Sequence, residues 1–210
     1  VSDRSPDEPV VVINSFTVKG DLPVFQRLFR EYTKFMRHRE DFDFLVTVSP
    51  LDRPHVYVHL GHWRTRRGFL ATVNDAEFQD RVGRLGPLVE AEADQAVSVA
   101  RVLRENAVVG AGNVVITRAT VHGDPAAFEA RFAEVNEHFG ELGHFGGSDL
   151  LRSTLRPGEY TAVQWWRDAG DCERALGSEA YLTLRAALAR EAEVAVVRTR
   201  HVAYERVAVR

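Results

Sequence analysis

The sequence predicts an α+β protein built from two tandem copies of one β-α-β-β-α-β unit. The first observation behind this is an ungapped internal repeat. Val11-Val12-Ile13 recurs as Val114-Val115-Ile116, Thr17-Val18 as Thr120-Val121 and Gly20-Asp21 as Gly123-Asp124, at an offset of 103 residues. The same offset lays Phe25 and Phe29 on Phe128 and Phe132, Phe42 on Phe145, Arg53-Pro54 on Arg156-Pro157, Tyr57 on Tyr160 and Trp63-Arg64 on Trp166-Arg167. A self-similarity this long, held in register, marks a duplicated domain. The second observation is that each copy alternates β-rich stretches with helical stripes in the same order.

In the first copy residues 10 to 18 are rich in Val, Ile, Phe and Thr and read as a strand ending at Gly20-Asp21. Asp21 can cap a helix that Pro23 enters in its first turn. In that helix Phe25, Leu28, Phe29, Tyr32, Phe35 and Met36 recur every three or four residues and make one apolar stripe. A strand follows around Phe44 to Ser49, then a turn at Pro50 to Pro54 and a strand from His55 to Arg64. A helical stretch from about Gly68 to Glu92, broken near Asn74-Asp75 and Gly86-Pro87, leads to a last strand from about Gln95 to Leu103. The second copy repeats the pattern, with Asp124 as cap, Pro125 at the helix start and Phe128, Phe132, Val135, Phe139 and Leu142 as the stripe.

Length and composition agree with this reading. A chain of 210 residues accommodates two domains of roughly 100 residues, expected at residues 9–105 and 113–210, with Glu105 to Gly112 as the linker. A hydrophobic fraction of 45% and a charged fraction of 27% are those of an ordinary globular protein. The net charge of −3 provides no field for polyanions, so no nucleic-acid partner is expected. One cysteine, Cys172, excludes an internal disulfide and a multi-Cys metal site. The polar stretch Val1 to Pro9 reads as a short tail, and no apolar run is long enough to span a membrane, so a cytoplasmic protein without a membrane partner is expected.

The β-α-β-β-α-β order is that of a ferredoxin-like domain. Its helices cover one face of the sheet, and the other face must be buried against something. Sheet facing sheet, within one chain as a pseudo-dimer or between two chains as a homodimer, would make a barrel able to hold a ligand. Strand alternation divides the third strand into two sets. Val56, Val58 and Leu60 suit the helices, which leaves His55, Tyr57, His59, Gly61 and Trp63 for the barrel interior. In the second copy Gly158, Tyr160, Ala162, Gln164 and Trp166 take the interior set, and Val163 and Trp165 the helix side.

These residues carry a resemblance. The opening strand with Thr17-Val18, the helix start at Gly20-Asp21, and the strand ending in Trp63-Arg64 before a short helix and Phe78 resemble the antibiotic biosynthesis monooxygenase family, of the dimeric α/β-barrel superfamily. In the second copy Trp166-Arg167 and Tyr181 stand for the last of these, so the resemblance covers nearly the whole chain twice. It implies a cofactor-free oxygenase acting on an aromatic polyketide, or a relative that binds or degrades haem, cyclises polyketides or has no known activity. Many members carry a His on the short helix after the Trp, where this chain has Thr72 and Ala175, which counts against haem ligation.

No GxGxxG opens a helix, and P-loop, GxSxG and HExxH motifs are missing, so no cofactor and no metal is expected. A cofactor-free route needs an electron-rich phenolic or anthrone-like substrate that, once deprotonated, gives an electron to dioxygen. The protein then binds a planar aromatic, helps to remove a proton and stabilises the anion. For that chemistry His59, Tyr57 and Trp63 are the candidate catalytic residues, with His59 as base; Tyr160, Gln164, Trp166, Ala162 and His55 are the candidate substrate contacts. Each also has a structural reading: the tyrosines as amphipathic filler, the tryptophans as strand-end plugs, His59 as a core histidine. His62 falls on the opposite strand face from His55 and His59, so the three do not converge on a metal. Because His55 and His59 are matched by Gly158 and Ala162, the roomier pocket is expected in the second copy. The function expected is a cofactor-independent monooxygenase tailoring an aromatic polyketide-like molecule; the alternative is a non-redox polyketide cyclase or small-molecule binding protein of the same fold.

Overall fold

The computed structural model describes residues 5–106 and 110–206. The first repeat runs β1 (Val10–Val18), α1 (Leu22–Met36), β2 (Phe42–Pro50), β3 (Val56–Trp63), α2 (Arg66–Val73), α3 (Ala76–Leu85) and β4 (Val89–Leu103). The second runs β5 (Ala111–Val121), α4 (Pro125–Glu141), β6 (Phe145–Ser153), β7 (Glu159–Trp166), α5 (Ala169–Gly177), α6 (Glu179–Leu188) and β8 (Ala192–Arg206). This is an α+β fold of two ferredoxin-like repeats, in each of which the second helix of the motif is split in two.

The chain forms two compact units, residues 1–96 with 202–210, and residues 97–201. The sequence repeats at 9–105 and 113–210 divide the chain differently, because the second part of β4 counts with the second unit and the end of β8 with the first. Residues 107–109 of the linker, 1–4 of the tail and 207–210 lie outside the described residues.

In the first unit β1 lies between β3 and the first part of β4, with β2 on the far side of β3, all antiparallel. In the second, β5 lies between β7 and β8, with β6 beyond β7, again antiparallel. The caps act as their residue types require. Asp21 accepts from the Val24 amide at 2.8 Å, and Asp124 from the Ala126 amide at 3.0 Å. Thr65, Asp75, Asp168 and Ser178 cap α2, α3, α5 and α6 in the same way. Phe25, Phe29, Tyr32 and Met36 of α1 are buried on the sheet, and each buried Phe contributes roughly 1.5–3 kcal/mol of apolar transfer.

Two sequence expectations are corrected. The helical stretch does not reach Glu92: α3 ends at Leu85, a single 3₁₀ turn holds Pro87, and β4 already begins at Val89. Residues 89–96 pair with β1, from Val89 opposite Val18 to Ala96 opposite Val11. The second correction concerns the faces of the sheet. Tyr57, His59 and Trp63 face the helices, and Val58 and Leu60 the opposite side. Tyr57 packs on Phe25 and Phe29 of α1, His59 on Phe29 and Tyr32, and Trp63 on Phe69 of α2. In the second unit Tyr160 likewise meets Phe128, and Trp166 meets Phe139. Trp165 lies on the other face, its indole N–H donating to the Glu105 carbonyl at 3.0 Å. Within β3 and β7 the two residue sets hold and only their directions are exchanged; His55 and Gly158 precede the strands.

Candidate functional site

The first unit gathers its chemistry between β3 and α1. His59 is 2% exposed and sits opposite Thr47 in the β2–β3 register. Its Nδ1 is 2.8 Å from the Thr47 hydroxyl. Phe16, Phe29 and Tyr32 surround the imidazole with ring centroids 6.4, 5.7 and 5.8 Å away. This apolar shell disfavours the charged form and lowers the His59 pKa to about 4, so the ring is neutral near pH 7. Burial pushes the Tyr32 phenol above its usual range, so it too is neutral. The half-buried Phe16 and Phe78 are the members of this aromatic shell that also meet solvent.

Gly61 lies between His59 and Trp63 on the same strand face. A Cβ placed on Gly61 would stand 3.6 Å from Trp63 Nε1 and 3.7 Å from His59 Nε2, in ordinary contact with both. Two ring nitrogens therefore border one small space, which exists because this position has no side chain. Beside it Tyr57 is fully buried, and its hydroxyl accepts a long hydrogen bond from Gln26 Nε2 at 3.5 Å.

In the second unit the matching positions are filled differently. Gln164 stands where Gly61 stands, and its amide donates to Asn136 Oδ1 at 3.0 Å, both side chains buried. Ala162 takes the place of His59 and is 1% exposed in the core. The Tyr160 hydroxyl donates to Glu129 Oε1 at 2.7 Å, and Arg152 holds the same oxygen at 3.1 Å. Burial first, and then Glu129, raise the Tyr160 pKa to about 12. The Trp166 indole N–H is buried without a hydrogen-bond partner among the described residues.

Residues 113–187, from β5 through most of α6, match the family model described as antibiotic biosynthesis monooxygenase. This stretch is a domain of that family. The antibiotic biosynthesis monooxygenase match thus falls within the second repeat and stops before β8, and the first repeat copies the strand register of the matched part. No curated protein matches the sequence. Among solved structures, a candidate monooxygenase from Fusobacterium nucleatum is 8% identical, with a TM-score of 0.76 over 96% of either chain. An anthrone oxidase-like protein is 15% identical, with a TM-score of 0.72 over 97% of this chain and 95% of its own. A major regulator of staphylococcal pathogenesis is 12% identical, with a TM-score of 0.58 over 92% of this chain and 99% of its own. At these identities the likenesses establish the fold, and the same fold serves different functions.

Of the residues singled out in the sequence, Tyr57, His59 and Trp63 come together in the first unit, and Tyr160, Ala162, Gln164 and Trp166 in the antibiotic biosynthesis monooxygenase domain. His55 joins neither group, because it is exposed in the turn before β3. His62 stacks on Phe44 at 4.0 Å on the opposite face. Thr47 and Asn136 were missed, while Gly61 was read only as an interior position of its strand and Tyr32 only as part of the α1 stripe. A glycine inside an aromatic strand was a signal for Gly61, whereas Thr47 emerges only from the strand register. The Cys172 thiol is buried and pushed up to about 12, which leaves it un-ionised near neutral pH. Among the described residues no three His, Cys, Asp or Glu side chains cluster to hold a metal, and no helix is long and apolar enough to cross a membrane.

Proposed function

We propose that the protein is a cofactor-independent monooxygenase tailoring an electron-rich phenolic or anthrone-like molecule of polyketide type, with its site in the first unit around His59. The observation that carries this reading is the space at Gly61, bordered by His59 Nε2 and Trp63 Nε1 and walled by aromatic rings. A planar substrate would lie against Phe16, Phe29 and Tyr32 with its oxygen directed into that space. Loss of a proton to solvent gives an anion whose charge rests largely on that oxygen, and preorganised dipoles in a dry site favour it. The anion gives one electron to dioxygen, and recombination at carbon forms a hydroperoxide. Loss of water then leaves a carbonyl, so a CH₂ group and O₂ become C=O and H₂O.

The sequence expectation of a roomier second copy gives way here to a site in the first, because Gln164 and Asn136 occupy in the second unit what Gly61 leaves open in the first. The test is oxygen uptake by metal-stripped protein given an anthrone or a naphthol. Uptake of one O₂ per product, lost in His59→Ala, supports the reading. Turnover without oxygen uptake would make the protein a cyclase, and binding without turnover a carrier.

A further inference from the structure

We infer that Thr47 is a positioning residue that holds His59 in the tautomer with hydrogen on Nε2, so that His59 meets its ligand as a hydrogen-bond donor and not as a base. This deepens the proposed function and rests on it for the identity of the ligand, an anionic oxygen.

The argument is one of hydrogen-bond satisfaction. Thr47 is fully buried on β2, with no solvent to receive its hydroxyl hydrogen. Among the described residues its hydroxyl has a single hydrogen-bond partner, His59 Nδ1 at 2.8 Å. Other threonines of this protein donate to a backbone carbonyl, Thr33 to Arg30 and Thr199 to Val114, and Thr47 does not. A buried donor is rarely left unused, so the Thr47 hydrogen goes to Nδ1. Nδ1 of a neutral imidazole that accepts a hydrogen bond carries no proton, which places the proton on Nε2.

Nε2–H then points toward the space at Gly61, beside the Trp63 indole N–H, which can only donate. Two donors border that space from β3, and the Val12 backbone carbonyl of β1 stands further off, 3.9 Å from the Cβ position; the two N–H groups suit an oxyanion, and a substrate proton has nowhere to go on His59. Burial acts in the same sense, since a ring this hard to protonate is a poor base at neutral pH. Of the rings packed on His59, Phe16 from β1 and Phe29 and Tyr32 from α1, only Tyr32 titrates, and burial raises it.

The experiment is long-range ¹H–¹⁵N correlation on histidine-labelled protein without ligand, in the wild type, Thr47→Ser and Thr47→Val, beside oxygen uptake by each. The expected result is the Nε2–H tautomer in the wild type and in Thr47→Ser. Thr47→Val removes the donor that keeps Nδ1 unprotonated, so a share of His59 should appear as Nδ1–H that is undetectable in the wild type, and kcat should fall as the ring loses its fixed tautomer and orientation. Thr47→Ser should recover kcat. An Nδ1–H ring in the wild type overturns the inference whatever the activity, and so does an unchanged tautomer in Thr47→Val. The expected tautomers without oxygen uptake would support the role of Thr47 while removing the monooxygenase reading. The wild-type spectrum alone decides the tautomer if the valine variant does not fold.

Discussion

Gly61 and Gln164 occupy the same register position in the two repeats. Gly61 lies opposite Val12 and Leu45, and Gln164 opposite Val115 and Ser148. One leaves room for a Cβ beside two ring nitrogens, and the other carries a buried side chain that donates to Asn136. Duplication has kept the backbone and changed the contents, so a single site per chain follows from the proposed function.

Gly61→Ala tests that space directly. The added methyl meets nothing closer than 3.6 Å and the backbone there is not left-handed, so the fold should hold and the melting temperature should change little. The methyl takes the place of the ligand oxygen, and kcat/KM should fall by about tenfold or more, the equivalent of one hydrogen bond of about 1.4 kcal/mol. Gly61→Gln should abolish binding of an aromatic ligand, read as loss of ligand-dependent quenching of tryptophan fluorescence. Unimpaired turnover in both variants would place the chemistry elsewhere.

His59→Ala and Ala162→Phe should fail in different ways. Removing the imbedded imidazole takes a donor from the site, and turnover should fall more than stability does. Ala162 lies within a packed core, and adding a phenyl ring should cost about 1–3 kcal/mol by overpacking. Denaturant unfolding should therefore show a destabilised Ala162→Phe whose folded fraction retains full turnover per molecule. A stable Ala162→Phe with impaired ligand binding would return the site to the second unit.

The fold was legible because its determinants are local or periodic. Asp21 and Asp124 announce their helices by capping chemistry, and the unbroken offset between the repeats reappears as identical strand register. The facing of β3 was not legible, because both of its sides are buried: Leu60 and Tyr57 are equally hidden, so hydrophobicity cannot say which meets the helices. The aromatic stripe of α1 decides it, by stacking Phe25 and Phe29 on Tyr57. His55 was misplaced by one strand residue, since β3 begins at Val56. Thr47 was hidden for a different reason: its partner is twelve residues away and becomes a neighbour only when the hairpin register is fixed.

Cys172 should behave as a core residue. Burial raises its thiol to about 12 and leaves almost no thiolate at neutral pH. Labelling of the native protein with an aromatic disulfide should proceed only as fast as the second unit opens, and denaturant should release a fast phase. Rapid labelling without denaturant would show the thiol to be accessible.

The acid limb of the stability curve should carry the signature of His59. Its folded pKa is about 4 against an ordinary value of 6.5, so between these values the unfolded chain holds a proton that the folded protein lacks. Stability then rises with pH across that window. On acidification the contribution begins to be lost below pH 6.5 and stops changing below about pH 4, with a full size of order 3 kcal/mol. His201 is also lowered by burial and adds a term of the same sign, so the wild type alone does not isolate His59. His59→Gln keeps a neutral polar side chain and removes the titration, whereas His201 is common to both proteins and cancels in their difference. Urea unfolding of the pair from pH 7 to pH 4.5 should show the wild type losing stability relative to His59→Gln as the pH falls. A difference that stays flat over that range would mean that His59 takes up its proton as easily in the folded protein as in the unfolded chain. The neutral donor proposed beside Trp63 would then be charged in mild acid.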